Sequence, residues 1–591
     1  MGFANSGGPP LANVPVARAK DIDGDGTILV PDELFAFVTD GTTQAPSGTN
    51  FMTDGRYAIE DGEFAFYFTD SEFGRVRRGV DANHDGFLDA TELNDYFLFG
   101  LSSANAGLFA PDSIAVYRDA AAGQTRVYVA LDNSLPSSLG YTRGIWRLLD
   151  LNGDGDALDA GESSLFVSAS MGLQVPGNTG PVTITRDYWR TLRMLPGGKL
   201  LAYAQGASLM PTGTPPTYTI QPEMNAWYGF TDNNGTAVPE VWFNASALND
   251  LPMHPDFANG TFPNWDVQDQ VTLRRMHYVR FVGVSPGAGP AGEDVYFIGS
   301  SYRTINEGDV NLNGQHIGGL IYRVLDANHN QVIDAGELAL FCNISGNTYA
   351  GVAPVTFTNI VNNQPILTMD NSTWGFDAGA DGSVQLLYDN ASTNDAIVNV
   401  ADANGNGVID QGEVVMTYAT VQGPSGYPYP FNSSLGPYFS SLMTLPAARL
   451  PGPFPTGITP IGDGCISQTT GWKVVMDAIG APQVGNANFQ VATIRSDYML
   501  PSWFLMDVRQ SPAPVPLAPI GLPGCFSYLL NPVYFSAFIA DPLGRTAVTV
   551  GIPNNPSLIG VNVLFQGVVM DPASAAMPFA VTNALHINIQ P

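Results

Sequence analysis

The sequence predicts an all-β protein: a β-propeller of about six blades over residues 17–450, then a C-terminal β-sandwich over residues 461–591. Three observations predict it. Gly and Pro, 64 and 45 of 591 residues, punctuate the chain every few positions, as in many short strands joined by turns. A unit of apolar strand, polar loop and apolar strand recurs along the first three-quarters. Past Leu445 that unit stops and a different strand-rich segment begins. Hydrophobic residues make up 45% and aromatics 11%, enough to fill real cores, and 591 residues exceed what one core serves.

Taken in chain order, residues 1–16 are rich in Gly, Pro and Asn and read as a flexible N-terminal arm. Such an arm is free to dock on a neighbouring copy and chain subunits head to tail. It lacks the basic start and apolar stretch of a signal peptide. If the protein is exported, the expectation is that these residues follow a removed signal.

The recurring loops come next. The first holds Asp21, Asp23 and Asp25 and closes with Asp32 or Glu33. The second holds Asp81, Asn83, Asp85, Asp89 and Glu92. The third holds Asp150, Asn152, Asp154, Asp156 and Glu162, with one extra residue and Asp159 nearby. The fourth full copy holds Asp326, Asn328, Asn330, Asp334 and Glu337, and the fifth Asp402, Asn404, Asn406, Asp410 and Glu413. A shortened copy, Asp232 to Glu240, has too few oxygen-bearing side chains to hold an ion well. The six starts lie 60 to 94 residues apart. Upstream strand signals such as Arg126–Leu131, Asp294–Gly299 and Val384–Asp389 complete units of three or four strands, the size of a propeller blade. Five or seven blades, or a row of separate sandwiches, are the competing readings; each unit is short for an independent core. The first loop has no strands ahead of it. Residues 414–450, including Tyr438–Leu445, are able to supply them and close the ring, which removes free sheet edges.

The spacing within each loop is that of a calcium site. Calcium takes six to eight hard oxygens in loose geometry. Acids or amides at loop positions 1, 3 and 5 surround one point, glycine at 6 allows the sharp turn, and an acid at 12 closes the shell. Gln331 stands where that glycine is expected. Position 8 is apolar in four loops (Ile28, Leu88, Ile333, Ile409), which anchors each loop to a core. A single such sequence is often a bare Asx-turn; five copies with a closing acid point to about five bound Ca2+. The fourth and fifth full copies carry fewer carboxylates and are expected to bind more weakly. The loops resemble EF-hand and dockerin-type calcium loops, and residues 81–89 also look like the calcium loops of integrin-type propeller repeats. The resemblance covers about 13 residues at a time and implies calcium, not helix switching, because strand-like sequence flanks most loops. Residues 89–97 are the exception and read as the start of a short helix.

Residues 451–460 form a Pro-rich linker. In residues 461–591, strand signals such as Phe489–Ile494, Ala547–Ile552 and Val561–Met570 suit a sandwich. Cys465 and Cys525 sit in similar contexts and read as a disulfide, with two buried thiols as the alternative. This segment resembles a C-terminal module of large exported proteins of environmental bacteria, on Gly464-Cys465, Leu522–Cys525, Ile552–Gly560 and Thr582–Ile589. The resemblance implies export and surface display or sorting.

The charge narrows the partners. Asp and Glu total 54 against 24 Lys and Arg, a net −30, with Lys only at Lys20, Lys199 and Lys473. Nucleic acid needs a basic face and is excluded as a partner. No stretch reaches the ~18 apolar residues of a transmembrane segment. No nucleophile elbow, zinc motif or phosphate loop is present, and only six His exist. His84 and His329 fill loop position 4, where side chains are expected to point outward. His277, beside Arg274 and Arg275, lies in a basic strand able to face a propeller's channel. No catalytic residue is assigned. The expected role is a calcium-binding structural protein of the bacterial cell surface, matrix or an appendage, secreted and able to assemble with itself. The alternatives are a calcium-dependent propeller hydrolase, phytase-like or lactonase-like, or an adhesin for surface glycans or proteins.

Overall fold

The computed structural model describes residues 2–5, 16–19, 34–38, 52–70, 74–99, 111, 113–131, 141–168, 172–174, 181–183, 188–205, 210–212, 217–219, 226–240, 242, 247, 279–300, 320–344, 352–358, 365–366, 373–379, 381–390, 394–419, 438–443, 452, 454–497, 499–541, 544–574 and 577–591. The fold is all-β and rests on repeated four-stranded antiparallel sheets. Sheet I runs Tyr438–Leu442, Gly2–Asn5, Val16–Ala19, Leu34–Ala36; sheet II, Met52–Glu60, Glu63–Asp70, Arg75–Val80, Leu93–Leu98; sheet III, Ser113–Asp119, Gln124–Leu131, Gly144–Leu149, Ser163–Ser168. Sheet IV runs Tyr188–Met194, Lys199–Gln205, Ala226–Asn233, Thr236–Glu240; sheet V, Val279–Ser285, Asp294–Ser300, Leu320–Asp326, Leu338–Asn343; sheet VI, Thr373–Ala378, Val384–Asn390, Asn394–Val400, Val414–Ala419. Residues 2–5, expected in a free arm, are instead a strand paired with Tyr438–Leu442 on one side and Val16–Ala19 on the other. The same register shift recurs between the second and third pairs that join the third strand to the fourth in sheets II, III, V and VI.

Alternation explains how the sheets stack. Along Glu63–Asp70 every side chain is buried. Phe64, Phe66 and Phe68 join Val16, Phe37 and Met443 toward sheet I, whereas Ala65 and Tyr67 join Ile114, Val127 and Val129 toward sheet III. A strand with apolar residues on both faces is what a sheet packed between two others requires. Similar clusters fill the spaces between sheets III and IV, IV and V, and V and VI. Each fully buried large apolar side chain contributes about 1.5–3 kcal/mol.

The first strands meet one another in cyclic order: sheet II against III, III against IV, IV against V, V against VI, VI against I, and I against II. Arg193, on the first strand of sheet IV, ties several of them together. Its guanidinium donates to the Val282 carbonyl at 3.0 Å in sheet V and the Phe376 carbonyl at 3.4 Å in sheet VI, and lies 3.6 Å from Asp54 in sheet II. Asp54 in turn accepts from the Ser113 hydroxyl of sheet III at 2.5 Å. Burial, reinforced by Arg56, pushes Arg193 down to about 10.

Residues 458–591 form a five-stranded sheet, Ile458–Ile461, Phe579–Asn588, Asn562–Met570, Pro501–Asp507 and Val533–Ile539, and a three-stranded sheet, Val475–Ile479, Gln490–Ile494 and Thr546–Thr549. Phe504, Phe565, Leu585 and Ile587 of the first share a core with Met476, Val491 and Val548 of the second. Cys465 and Cys525 are joined in a disulfide, as the sequence predicts, with Cα atoms 4.9 Å apart. Cys342 is a free buried thiol.

The segment expected to be a linker is docked. Gly452 is buried, accepts from Arg18 Nη2 at 2.9 Å and donates to Asp477 Oδ1 at 3.0 Å. Its φ is +56°, and a Cβ there would meet the Asp85 carbonyl at 2.6 Å, so only glycine fits.

Candidate metal centres

The Asp/Asn loops that the structure describes occupy one position in the repeat, between the third and fourth strands of sheets II, III, V and VI. Each loop leans on the sheet before it through its apolar position. Leu88 N–H donates to Phe37 O at 2.7 Å, Ala157 N–H to Tyr96 O, Ile333 N–H to Trp242 O and Ile409 N–H to Phe341 O, each at 2.8 Å. The four side chains are buried. Each loop is thus a staple between neighbouring sheets, closed on one side by an apolar plug and on the other by acids.

The loop of sheet VI gives the plan. Asp402 accepts the Asn406 and Gly407 N–H groups, Asn404 accepts the Asn406 N–H, and Asn406 accepts the Val408 N–H. Glu413 accepts the Ala403, Asn404 and Asp410 N–H groups at 2.8–3.1 Å. The Asn404 and Asn406 amides both donate to Asp410 Oδ2, at 2.9 and 2.7 Å. Sheet V repeats this with Asp326, Asn328, Asn330, Asp334 and Glu337. In sheet II, Glu92 spans Ala82, Asn83 and Asp89, and Asn83 donates to Asp85. Position 6 takes φ +89° at Gly86 and Gly407; Gln331 takes +58°, a conformation that costs a non-glycine residue about 1–2 kcal/mol.

The loop of sheet III absorbs its extra residue by shifting one ligand position. Asp159, not Leu158, plays the ninth-position part: its N–H donates to Glu162 at 3.0 Å and its carboxylate accepts from Asn152 at 2.7 Å. Asp150 and Asp154 bond as their counterparts do, and Asp156 accepts the Leu158 N–H. Asp21, Asp23, Asp25 and Asp32 lie outside the described residues.

Among the described residues, no three His, Cys, Asp or Glu side chains converge as a metal-binding group. The reason is local: the acids and amides fold onto the loop's own N–H groups. The donor set nevertheless fits a hard cation. At the ligand positions every loop offers only oxygens besides its amide nitrogens, and carboxylate oxygens accepting one N–H retain a further lone pair. Asp81 shows how closely the acids of one loop crowd together. Burial, with the charges of Asp85 and Glu92, pushes it up to about 7 against the opposing pull of His84. Glu92 is also raised, first by burial.

Basic partners from the preceding sheet were missed by sequence reasoning. An arginine stands three residues ahead of four loop starts, at Arg18, Arg78, Arg147 and Arg323. Arg18 reaches Gly86 O of the next loop at 3.3 Å, and Arg323 lies 4.0 Å from Asp402. Lys199 donates to Gln331 O at 2.9 Å. Arg147 forms the tightest of these pairs, donating from Nε to Asp232 of sheet IV at 2.7 Å. There the third and fourth strands are joined by a tight turn at Asn234-Gly235. Asp232 is held below the usual carboxylate range: burial opposes this, but the Tyr128 hydroxyl, the Gly235 N–H, Arg147 and Arg126 outweigh it. The Arg-x-x-Asp spacing was the available signal, but it does not say that the arginine serves the next sheet.

Two expectations are corrected. Residues 89–97 do not start a helix; Leu93–Leu98 is the fourth strand of sheet II, burying Tyr96 and Phe97. His84 does not point outward. It is 1% exposed and bonds Glu63 Oε1 at 2.9 Å, because the loop of sheet II is covered by the C-terminal region. Glu63 also takes Arg495 Nη1 at 2.7 Å and lies 3.7 Å from Lys473 Nζ. Burial would raise Glu63, but Arg495 and His84 hold it at about 2. His329 is exposed, as expected. His254, His277 and His316 lie outside the described residues.

No protein-family model matches the chain, and no curated protein matches it. Several solved structures are loosely similar. The extracellular domain of a hybrid two-component system from B. thetaiotaomicron is 9% identical at a TM-score of 0.30, with 92% of this chain aligned. PorZ, a surface component of the type-IX secretion system of Porphyromonas gingivalis, is 9% identical at 0.27, with 90% aligned. A glucose dehydrogenase-type oxidoreductase from Thermus thermophilus is 10% identical at 0.27, covering 63% of this chain and 87% of that one. The chain spans 57% and 56% of the first two. Likeness at this level carries no inference about activity.

Proposed function

We propose that this is an extracellular calcium-binding structural protein of the bacterial cell surface, a matrix or an appendage. In this reading the six sheets are blades of a closed propeller, capped by a C-terminal sandwich, and ions in five loops lock all blades but the fourth to the one before. One observation carries the proposal: four Asp/Asn loops sit at the same place in four sheets, each fixed to the preceding sheet by one backbone bond and one buried side chain. Asp81, Asn83, Asp85, Asp89 and Glu92 would hold one ion; Asp150, Asn152, Asp154, Asp159 and Glu162, Asp326 to Glu337, and Asp402 to Glu413 would hold others. The bound ion supplies charge compensation and cross-linking, not chemistry. The cyclic contact order of the first strands supports the closed ring. Arg193, spanning the first strands of neighbouring sheets, supports a packed centre and so a scaffold over a channel enzyme. The disulfide supports an oxidising compartment, and among the described residues no helix is long and apolar enough to cross a membrane.

The test is metal analysis of the purified protein with thermal melts in calcium and in chelator. The expected outcome is about five calcium ions per chain. At free calcium 100 times the dissociation constant, each site adds about 2.7 kcal/mol. Absence of bound calcium, with melts unchanged by chelator, sinks the reading.

A further inference from the structure

The C-terminal five-stranded sheet ends on Val533–Ile539, an edge strand that pairs only with Pro501–Asp507. Among the described residues nothing else bonds its outer edge. Soluble proteins blunt such edges with charge, proline or a covering element. This one instead exposes large apolar side chains: Val533 and Tyr534 are 60% exposed, Phe538 45% and Ile539 64%. No charged residue occurs from Gln510 to Ala540. In a chain of net charge −30, an uncharged stretch of this kind lets a second copy approach with little repulsion.

We infer that this edge pairs with the same edge of a second copy, antiparallel about a two-fold axis, joining two five-stranded sheets into one of ten. The register follows from a bulge. Ser536 faces Phe504 and Tyr534 faces Leu505, so Phe535 is the extra residue, turned against Phe565 with ring centroids 5.6 Å apart. The shift places Tyr534, Ala537 and Ile539 on one face of the strand. Antiparallel pairing centred on Ala537 then sets each Ile539 opposite the other copy's Tyr534, across a small residue at the axis. Aromatic–aliphatic cross-strand pairs of this kind stabilise sheets, and the match is isologous, as a two-fold dimer requires. The inference does not depend on calcium in the loops.

The experiment is sedimentation velocity of the full chain in calcium buffer from about 1 to 100 µM, with dissociation in the micromolar range expected for so small an interface. Raising salt should tighten the dimer by screening the net charge. Tyr534→Lys and Ile539→Glu should each weaken self-association at least tenfold with unchanged melting temperature, since both side chains are exposed. A mixture of the two variants should associate again, because the lysine introduced in one copy then meets the glutamate introduced in the other. A wild-type chain that stays monomeric at 100 µM overturns the inference. So does a dimer that both variants retain, or a mixture that fails to associate.

Discussion

The turn of sheet IV and the loop of sheet VI occupy the same place in the repeat and solve the same problem differently. Both begin with an aspartate facing an arginine of the preceding sheet. In sheet IV the chain turns back within two residues, and Arg147, Tyr128 and the Gly235 N–H satisfy Asp232, whose side chain is 1% exposed. In sheet VI thirteen residues separate the two strands, Arg323 stays 4.0 Å away, and Asp402 is joined by Asp410 and Glu413. The difference teaches that a guanidinium can close a junction between sheets alone, whereas a longer acidic loop leaves room and charge for a divalent ion.

The comparison can be broken most directly at Asp232. Asp232→Ala leaves Arg147 without its nearest acid and should cost about 3–5 kcal/mol, equally in calcium and in chelator. Dependence on calcium there would overturn the contrast. At the other pole, Asp402→Ala should cost roughly 2–3 kcal/mol more in saturating calcium than in chelator, the binding energy of one site, because in chelator only its bonds to the loop N–H groups are lost. An equal loss in both would mean that Asp402 acts only as a turn residue.

Smaller effects sharpen the picture at the junction with the C-terminal region. Glu63 is depressed to about 2 when folded, against an ordinary 4.5. A depressed carboxyl stabilises the fold above its unfolded value, and that stability is lost as pH falls from about 4.5 toward 2. Wild type should therefore lose on the order of 2 kcal/mol more than Glu63→Gln across that window, read by urea melts at stepped pH. Gly452→Ala should cost about 1–3 kcal/mol through strain at positive φ and the clash with Asp85. The calcium affinity of the neighbouring loop should drop with it, since Arg18 and Gly452 brace that loop.

Much of this was legible in the sequence because it is written locally. The Asp/Asn spacing placed the loops, the position-8 apolar residues announced their anchoring, and Tyr438–Leu442 was available as a strand for the start of the chain to pair with. What sequence reasoning missed lies across sheet boundaries. Arg147 and Asp232 are 85 residues apart, and Glu63 and Arg495 are 432 apart. No periodicity records such pairs. His84 looked like an outward loop residue because its cover comes from the far end of the chain. The helix expected after Asp89 failed for a related reason: Ala-Thr-Glu-Leu has helical propensity, but pairing with Arg75–Val80 and burial of Tyr96 and Phe97 outweigh it.

The pairing of Gly2–Asn5 with Tyr438–Leu442 has a consequence for biogenesis. Gly2–Asn5 leaves the ribosome well before Tyr438–Leu442 and has no innermost partner until residue 442 has been made. Sheets II to VI can condense in sequence, each on the last, while the opening strands wait. Searching for contacts so distant in sequence is slow, so the final latch should be the late event of folding, and a nascent chain halted short of Tyr438 should remain susceptible to proteases at its leading end.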